Sequence, residues 1–326
     1  MQNQRDLTFD IMKGIGILLV ITAHFFGWNH HVLGESISSF HMPMFFLVAG
    51  YFTHIPSNKY EFHANCRKYF NRLIPPYLFA QFCLVLWAVV MVVIKNDDVN
   101  IAIREFLSLL WADVDGPVTP WGKLSIGVVW FLLALLVSKI LLMMISRIKG
   151  WAIPVSFSLA ILALFFHKIF PYSIFCVSIA LCALPFLTIG WWCRSHSFPN
   201  WLKFFLVICW IFALIFTKLD MYSFTWTCYP VNVLGACGGS YCLYLISKFI
   251  KDKIKILANI FAVLGTWSLA IMCFHYIEMN CRLGNHVLAF FPMAFPLWAK
   301  EFFRYILTIG LAGVSVKIPK FKKLFI

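Results

Sequence analysis

The sequence predicts an all-α, polytopic integral membrane protein of about ten transmembrane helices, on three observations. Of the 326 residues, 62% are hydrophobic and only 12% are charged. Soluble domains run near half apolar and about a quarter charged, so the chain sits in the membrane class. Apolar runs approaching the roughly 20 residues that cross a bilayer recur along the whole length. The basic residues are gathered in short clusters between those runs.

The first apolar window, 8–28, follows a basic start and could pass for a signal peptide. Asp10 and Lys13 inside it, and the lack of a small-x-small cleavage site, argue for a retained span. The next, 39–55, is short for a full span, as is 203–217. Such segments are expected as tilted partners buried in the bundle or as re-entrant pieces. Window 73–94 leads into a polar loop, 95–123, containing "DVDGPVTP". The middle of that loop, "IAIREFLSLLW", has the pattern of a short amphipathic helix on the membrane surface. Windows 124–146, 151–167, 173–193, 227–247, 257–279 and 298–316 complete the set. No internal repeat or low-complexity stretch divides the chain, so 1–326 is read as one transmembrane domain. With only the short basic tail "KIPKFKKLFI" after the last window, any chemistry is expected to belong to that domain.

The loop charges orient the helices. With the amino terminus in the cytoplasm, 17 Lys and Arg fall on that side and 8 on the other, with Lys13 and Lys139 inside the apolar runs. The richer side includes Arg5, Arg147 and Lys149. Most acids, among them Glu35, Asp97, Asp98, Glu105, Asp113 and Asp115, fall on the poorer side. Both termini are therefore expected in the cytoplasm, in a multi-pass protein of the cytoplasmic (inner) membrane. The net charge of +14 is spent on topology, so a nucleic-acid partner is not expected. The 11 cysteines form no Cys-x-x-Cys pair and mostly lie in apolar runs, so neither a disulfide framework nor a metal site is predicted. Cys228 and Cys281, near loop edges, are the one pair worth testing for a bridge.

The first helix holds the polar groups that hydrocarbon should exclude. At 100° per residue Lys13 and His24 differ by about 20° around the helix, and Asp10 lies about 60° from Lys13. The three form one stripe, with Lys13 and His24 roughly 16 Å apart along the axis. Asp10 is too far along to touch His24. An i,i+3 ion pair or snorkelling is the ordinary explanation for Asp10 and Lys13. An imidazole within a span points to function by default. Gly14 and Gly16 allow another helix to approach closely.

Other polar groups converge on the level of His24. The topology brings His41 and Trp130 in from the outside, and carries His275, Glu278 and Arg282 out to the same edge. Singly, each has an ordinary explanation as a helix-start group, an interfacial aromatic or a solvated rim residue. Several elements delivering them to one level is harder to ascribe to chance.

"DIMKGIGILLVITAH", then "FHMPMFFLVAGYF" and "RKYFNRLIPPYL", together resemble the membrane acyltransferase 3 family. The similarity is nearest to its fucose 4-O-acetylase-like and polysaccharide O-acyltransferase subgroup. Members carry a basic residue and, after ten further positions, an essential His, which correspond here to Lys13 and His24. The family's Phe-Phe-x-x-Ser-Gly element is "FFLVAG", with Ala49 in place of Ser, and its Arg-x-x-x-Arg element is Lys68 to Arg72, preceded by Arg67. "VVWFLLAL" and "GTWSLAIMCFH" resemble two further elements, so the match extends over most of the chain.

The resemblance implies transfer of an acyl group, usually acetyl, from cytoplasmic acyl-CoA to a hydroxyl of a cell-surface or lipid-linked glycan. His24 is then the general base, with Asp10, Lys13, His275 and Glu278 as further catalytic candidates. Lys13, Arg67, Lys68 and Arg72 are candidates for holding acetyl-CoA, since Arg forks complement phosphate oxygens. His41, Trp130 and Arg282 are candidates for the acceptor. Direct attack and a transient acetyl-His both remain open, as does assembly into a homo-oligomer. A transporter or flippase for a glycan or lipid-linked saccharide is the rival class, because intramembrane charge and broken helices serve it as well.

Overall fold

The computed structural model describes residues 6–25, 31–114, 116–148, 150–291 and 296–325. Arg5, Asp115 and Lys149, used above to orient the chain, lie outside them. The first helix, α1 (Leu7–Phe25), is followed by α2 (His31–Ser38) and α3 (His41–Tyr51). Phe9, near the start of α1, meets Tyr51 and Phe52 at ring-centroid distances of 4.6 and 5.1 Å, so α1 and α3 run antiparallel. Next comes α4 (Lys59–Lys95), whose start is capped reciprocally. Asn58 Oδ1 accepts from Glu61 N at 2.8 Å, and Glu61 Oε2 accepts from Ser57 N at 2.9 Å. Pro75 and Pro76 lie inside α4, a placement that membrane helices tolerate.

The polar loop expected at 95–123 contains α5 (Val99–Trp111) and a hairpin of β1 (Val118–Thr119) and β2 (Gly122–Lys123). The Tyr77 hydroxyl of α4 donates to Leu109 O at 2.7 Å and ties α5 down. Three helices follow, α6 (Trp130–Ile145), α7 (Ala152–Ile169) and α8 (Val177–Cys193). Asp113 accepts from Ser173 N at 2.6 Å, which braces the entry to α8 against the loop after α5. After α9 (Asn200–Phe216), a second hairpin of β3 (Leu219–Asp220) and β4 (Thr225–Trp226) leads to α10 (Tyr229–Lys253). The chain closes with α11 (Lys255–Thr266), α12 (Ser268–Cys281), α13 (Leu283–Leu288), α14 (Leu297–Lys317) and α15 (Pro319–Phe325).

The protein is thus all-α in its spans. Among the described residues six helices are long and apolar enough to cross a membrane, or eight if two bent pairs each count as one. Those pairs are α11 with α12, bent by 67°, and α14 with α15, bent by 110°. Every apolar window holds a helix, but α3 has 11 residues and α9 has 17, short of the span length. The ten windows therefore differ in kind, as the brevity of 39–55 and 203–217 foretells. The core follows α6, which packs on α8 and α4, and α12, which packs on α4; Leu132, Leu184 and Ile271 in it are fully buried. Phe165 on α7, Ile215 on α9 and Phe302 on α14 are exposed, as suits lipid-facing surfaces. Cys228 and Cys281 are both free thiols, one exposed and one buried, so the bridge considered above is absent.

Two close helix crossings fix the bundle. On Gly14 of α1 a Cβ would run into Phe261 O of α11, and on Gly265 into Asp10 O. On Gly50 of α3 a Cβ would strike Leu187 O of α8, and on Gly190 it would strike Leu47 O. Backbones meeting at this range leave no room for a side chain. Gly50→Leu is expected to lower stability by at least about 1–3 kcal/mol, the range for overpacking. Thermal unfolding in detergent checks this, with Gly310→Leu, which meets nothing within 4 Å, as the unaffected control.

Candidate active site

One face of α1 lines a cavity of about 1080 Å³ from end to end: Asp10, Lys13, Ile17, Val20 and His24. Their spacing of three and four residues keeps them on one side of the helix. The stripe legible in the sequence is therefore a cavity wall. Its middle is apolar and its two ends are polar.

At the far end of α1, the His24 ring lies 5.2 Å, centroid to centroid, from the ring of His275, which α12 holds fully buried. His275 is fixed in depth by its neighbour Tyr276, whose hydroxyl accepts from Gln81 Nε2 of α4 at 3.2 Å. His41, at the first turn of α3, lines the cavity and donates from Nδ1 to Ile37 O at 2.8 Å. With Nδ1 engaged, Nε2 is the ring's remaining hydrogen-bonding atom. Trp130 lines the same region, buried and stacked on Phe46 at 6.5 Å. The wall here is completed by Asp220 of β3, an electrostatic neighbour of both His24 and His41. Asp220 accepts from Tyr222 N at 2.9 Å and from the Ser223 hydroxyl at 2.8 Å, which sets the hairpin turn. Across this end Lys218 pairs with Glu35 of α2 at 2.9 Å, with both side chains half or more exposed.

The near end of α1 is basic. Lys13 pairs with Asp10 at 2.8 Å, the i,i+3 contact expected of them. Lys68 and Arg72 of α4 line the cavity, and so does Lys139 of α6. Lys139 Nζ donates to Thr53 Oγ1 at 2.7 Å and to Ala49 O at 3.1 Å, and lies 4.6 Å from the centre of the Tyr69 ring. Sequence reading counts Lys139 as an intramembrane charge without assigning it to the site.

Three candidates are placed elsewhere. Arg67 is exposed and points off the cavity, as Lys68 and Arg72 occupy the α4 positions that line it. Arg282, in the left-handed conformation at the end of α12, is exposed outside the cavity wall. Glu278 is fully buried but turned away, with Oε1 accepting from Arg304 Nε at 2.6 Å and Oε2 from Gly284 N at 3.1 Å. Arg304 of α14 also pairs with Glu301 at 3.0 Å. At the His24 end the carboxylates that border the cavity are Asp220 and Glu35, not Glu278. Among the described residues no group of three or more His, Cys, Asp or Glu is placed to hold a metal ion.

A family model described as an acyltransferase domain matches residues 6–315, nearly the whole chain and all of the cavity wall on α1. The chain belongs to the acyltransferase 3 family. Among curated proteins it is similar to the nodulation protein NolL of Mesorhizobium japonicum, 29% identical over 206 residues. That match covers 58% of this chain and 50% of NolL, so the chain spans about half the length of the relative. No solved structure matches it. For this acyltransferase 3 member, the motif positions Lys13 and His24 lie toward opposite ends of one cavity wall.

Proposed function

We propose that the protein is an O-acyltransferase that takes an acyl group, most simply acetyl, from acyl-CoA on the cytoplasmic side and delivers it to a glycan hydroxyl on the outer side. The observation that carries this reading is the single cavity following α1 from Lys13 to His24. It offers donor and acceptor one meeting place, with basic residues toward one end and histidines toward the other. The basic end, with Lys68 and Arg72, suits the phosphates of coenzyme A. The apolar middle suits a thioester arm. At the other end His41, Trp130 and the hydroxyl-bearing residues of the hairpin suit a sugar.

In the transfer, His24 accepts the proton of the acceptor hydroxyl as its oxygen bonds to the thioester carbonyl carbon. The carbon–sulfur bond breaks, and the proton passes to the departing thiolate. His275 orients the His24 ring, and Asp220 balances the positive charge that the imidazole gains. Lys13, held by Asp10, sits with the donor. The route keeps both termini, and the cluster at Lys68 and Arg72, on the cytoplasmic side of the inner membrane, as the loop charges favour.

Purified protein incubated with radiolabelled acetyl-CoA and lipid-linked or free glycans is expected to label the glycan. Label retained on the protein without acceptor would mark an acyl-histidine route. Label on neither would overturn the reading and leave a glycan carrier. Arg72→Ala is expected to weaken coenzyme A binding about tenfold or more, as loss of a charge-assisted contact does, while Arg67→Ala leaves it unchanged. Equilibrium binding to the two variants checks that contrast.

A further inference from the structure

Lys139 is 9% exposed, in the middle of α6, and all of its contacts are neutral. They are the Thr53 hydroxyl, the Ala49 carbonyl and the Tyr69 ring. Its charged neighbours are Arg72 and Lys68, cations themselves. Among the described residues no carboxylate pairs with it. An ammonium in a helical span is costly and ordinarily faces an acid or a functional cavity. Lys139 lies on the cavity wall, so its missing counter-charge can come from a ligand. The contrast with Lys13 is direct, because Lys13 has Asp10 at 2.8 Å.

The depth of Lys139 selects which part of a ligand it meets. It lies nine residues along α6 from Trp130, about 14 Å by helical rise. Trp130 is at the His24 end, so an anion at Lys139 is remote from the reacting acyl group. An acyl chain bearing its own carboxylate is thereby disfavoured as the partner. Between the two levels the wall is apolar, formed by Ile17, Val20 and Leu135. Lys68 and Arg72 are exposed at the basic mouth, whereas Lys139 is enclosed beyond them. A phosphorylated donor entering there sets its outermost phosphate at the exposed pair and its inner phosphates deeper.

We propose that Lys139 binds the inner phosphates of the acyl donor, where the phosphorylated end of the molecule gives way to its thioester arm. The assignment rests on the acyl-CoA reading above and names a donor-binding residue that the motif positions do not include. Ala49 and Thr53 then have a definite task. Their oxygens hold the ammonium against the wall, so that its remaining N–H points to the ligand.

The test uses the full-length protein in detergent. Lys139→Met is expected to weaken binding of coenzyme A and of dephospho-coenzyme A by about tenfold or more, and to leave pantetheine, which has no phosphate, unchanged. The ligand-free variant is expected to melt at the same or a higher temperature, since an unneutralised buried charge has been removed. Coenzyme A affinity within about twofold of the parent, or an equal loss for pantetheine, would overturn the proposal. Failure of both Lys139→Met and Lys139→Gln to fold would also overturn it, by making the charge a structural need. Inorganic pyrophosphate, scored by thermal shift, separates this proposal from the donor reading. A parent stabilised by pyrophosphate through Lys139 but indifferent to coenzyme A would sink the donor reading and keep Lys139 only as a phosphate site. A parent that responds to neither would sink both.

Discussion

His24→Ala is expected to reach the membrane in normal amount and to lose acyl transfer by about a hundredfold or more, the usual contribution of a positioned general base. The reason is geometric. His24 is the group at the end of the α1 wall where His275, His41 and Trp130 gather. Alanine removes the proton acceptor without touching the close crossing at Gly14, ten positions away, that seats α1 on α11. Donor binding is expected to survive, because Lys68, Arg72 and Lys139 belong to the other end of the cavity. Initial rates of label transfer, with coenzyme A binding and melting temperature measured on the same preparation, separate these effects. A variant that transfers at the parental rate would remove His24 from the chemistry.

Glu278→Ala is expected to fail differently, through the fold. Its carboxylate neutralises Arg304 in a site where Glu278 is fully buried, and it also accepts from the backbone at Gly284. Truncation removes the buried carboxylate from Arg304 and costs about 3–5 kcal/mol, as when one partner of a buried pair is lost. The loss is expected as low yield and a depressed melting temperature, with activity per folded molecule falling less than in His24→Ala. Replacing both partners together, Glu278→Leu with Arg304→Leu, is expected to recover part of the stability, because no lone charge is then buried. Were Glu278 instead a catalytic group, the single and double variants would be equally inactive and the melting temperature would stay put.

The contrast between these two residues shows what the sequence makes legible. Hydropathy locates the long apolar helices, because burial in lipid demands the same runs that the windows detect; the short α2, α13 and α15 fall outside the windows, and 257–279 holds both α11 and α12. The wall of the site is legible on α1, since helical spacing alone aligns Asp10, Lys13 and His24. The approach of His275 follows from loop charges, which set the end at which each helix arrives. Glu278 is different. Spacing reveals its i,i+3 relation to His275, but its partner Arg304 lies 26 residues on, in another helix, and only tertiary packing joins them. Lys139 stands out in the sequence as a charge within a span. Its surroundings come from α3 and α4, at separations of 86 and 90 residues for Thr53 and Ala49, and no local pattern predicts them. Asp220 reads as an ordinary turn residue until the hairpin folds over the end of the cavity.

The Glu35–Lys218 contact bears on how that end is covered. It joins α2 to the start of the β3–β4 hairpin, and its side chains are 50% and 68% exposed. A pair so open to water contributes only about 0–1 kcal/mol, and salt screens it over a Debye length of about 8 Å at physiological ionic strength. The cover over the histidines is thus fastened electrostatically by little more than thermal energy. Its looseness should vary with the saltiness of the medium on that face, while the buried ion pair of Glu278 and Arg304 stays indifferent to it.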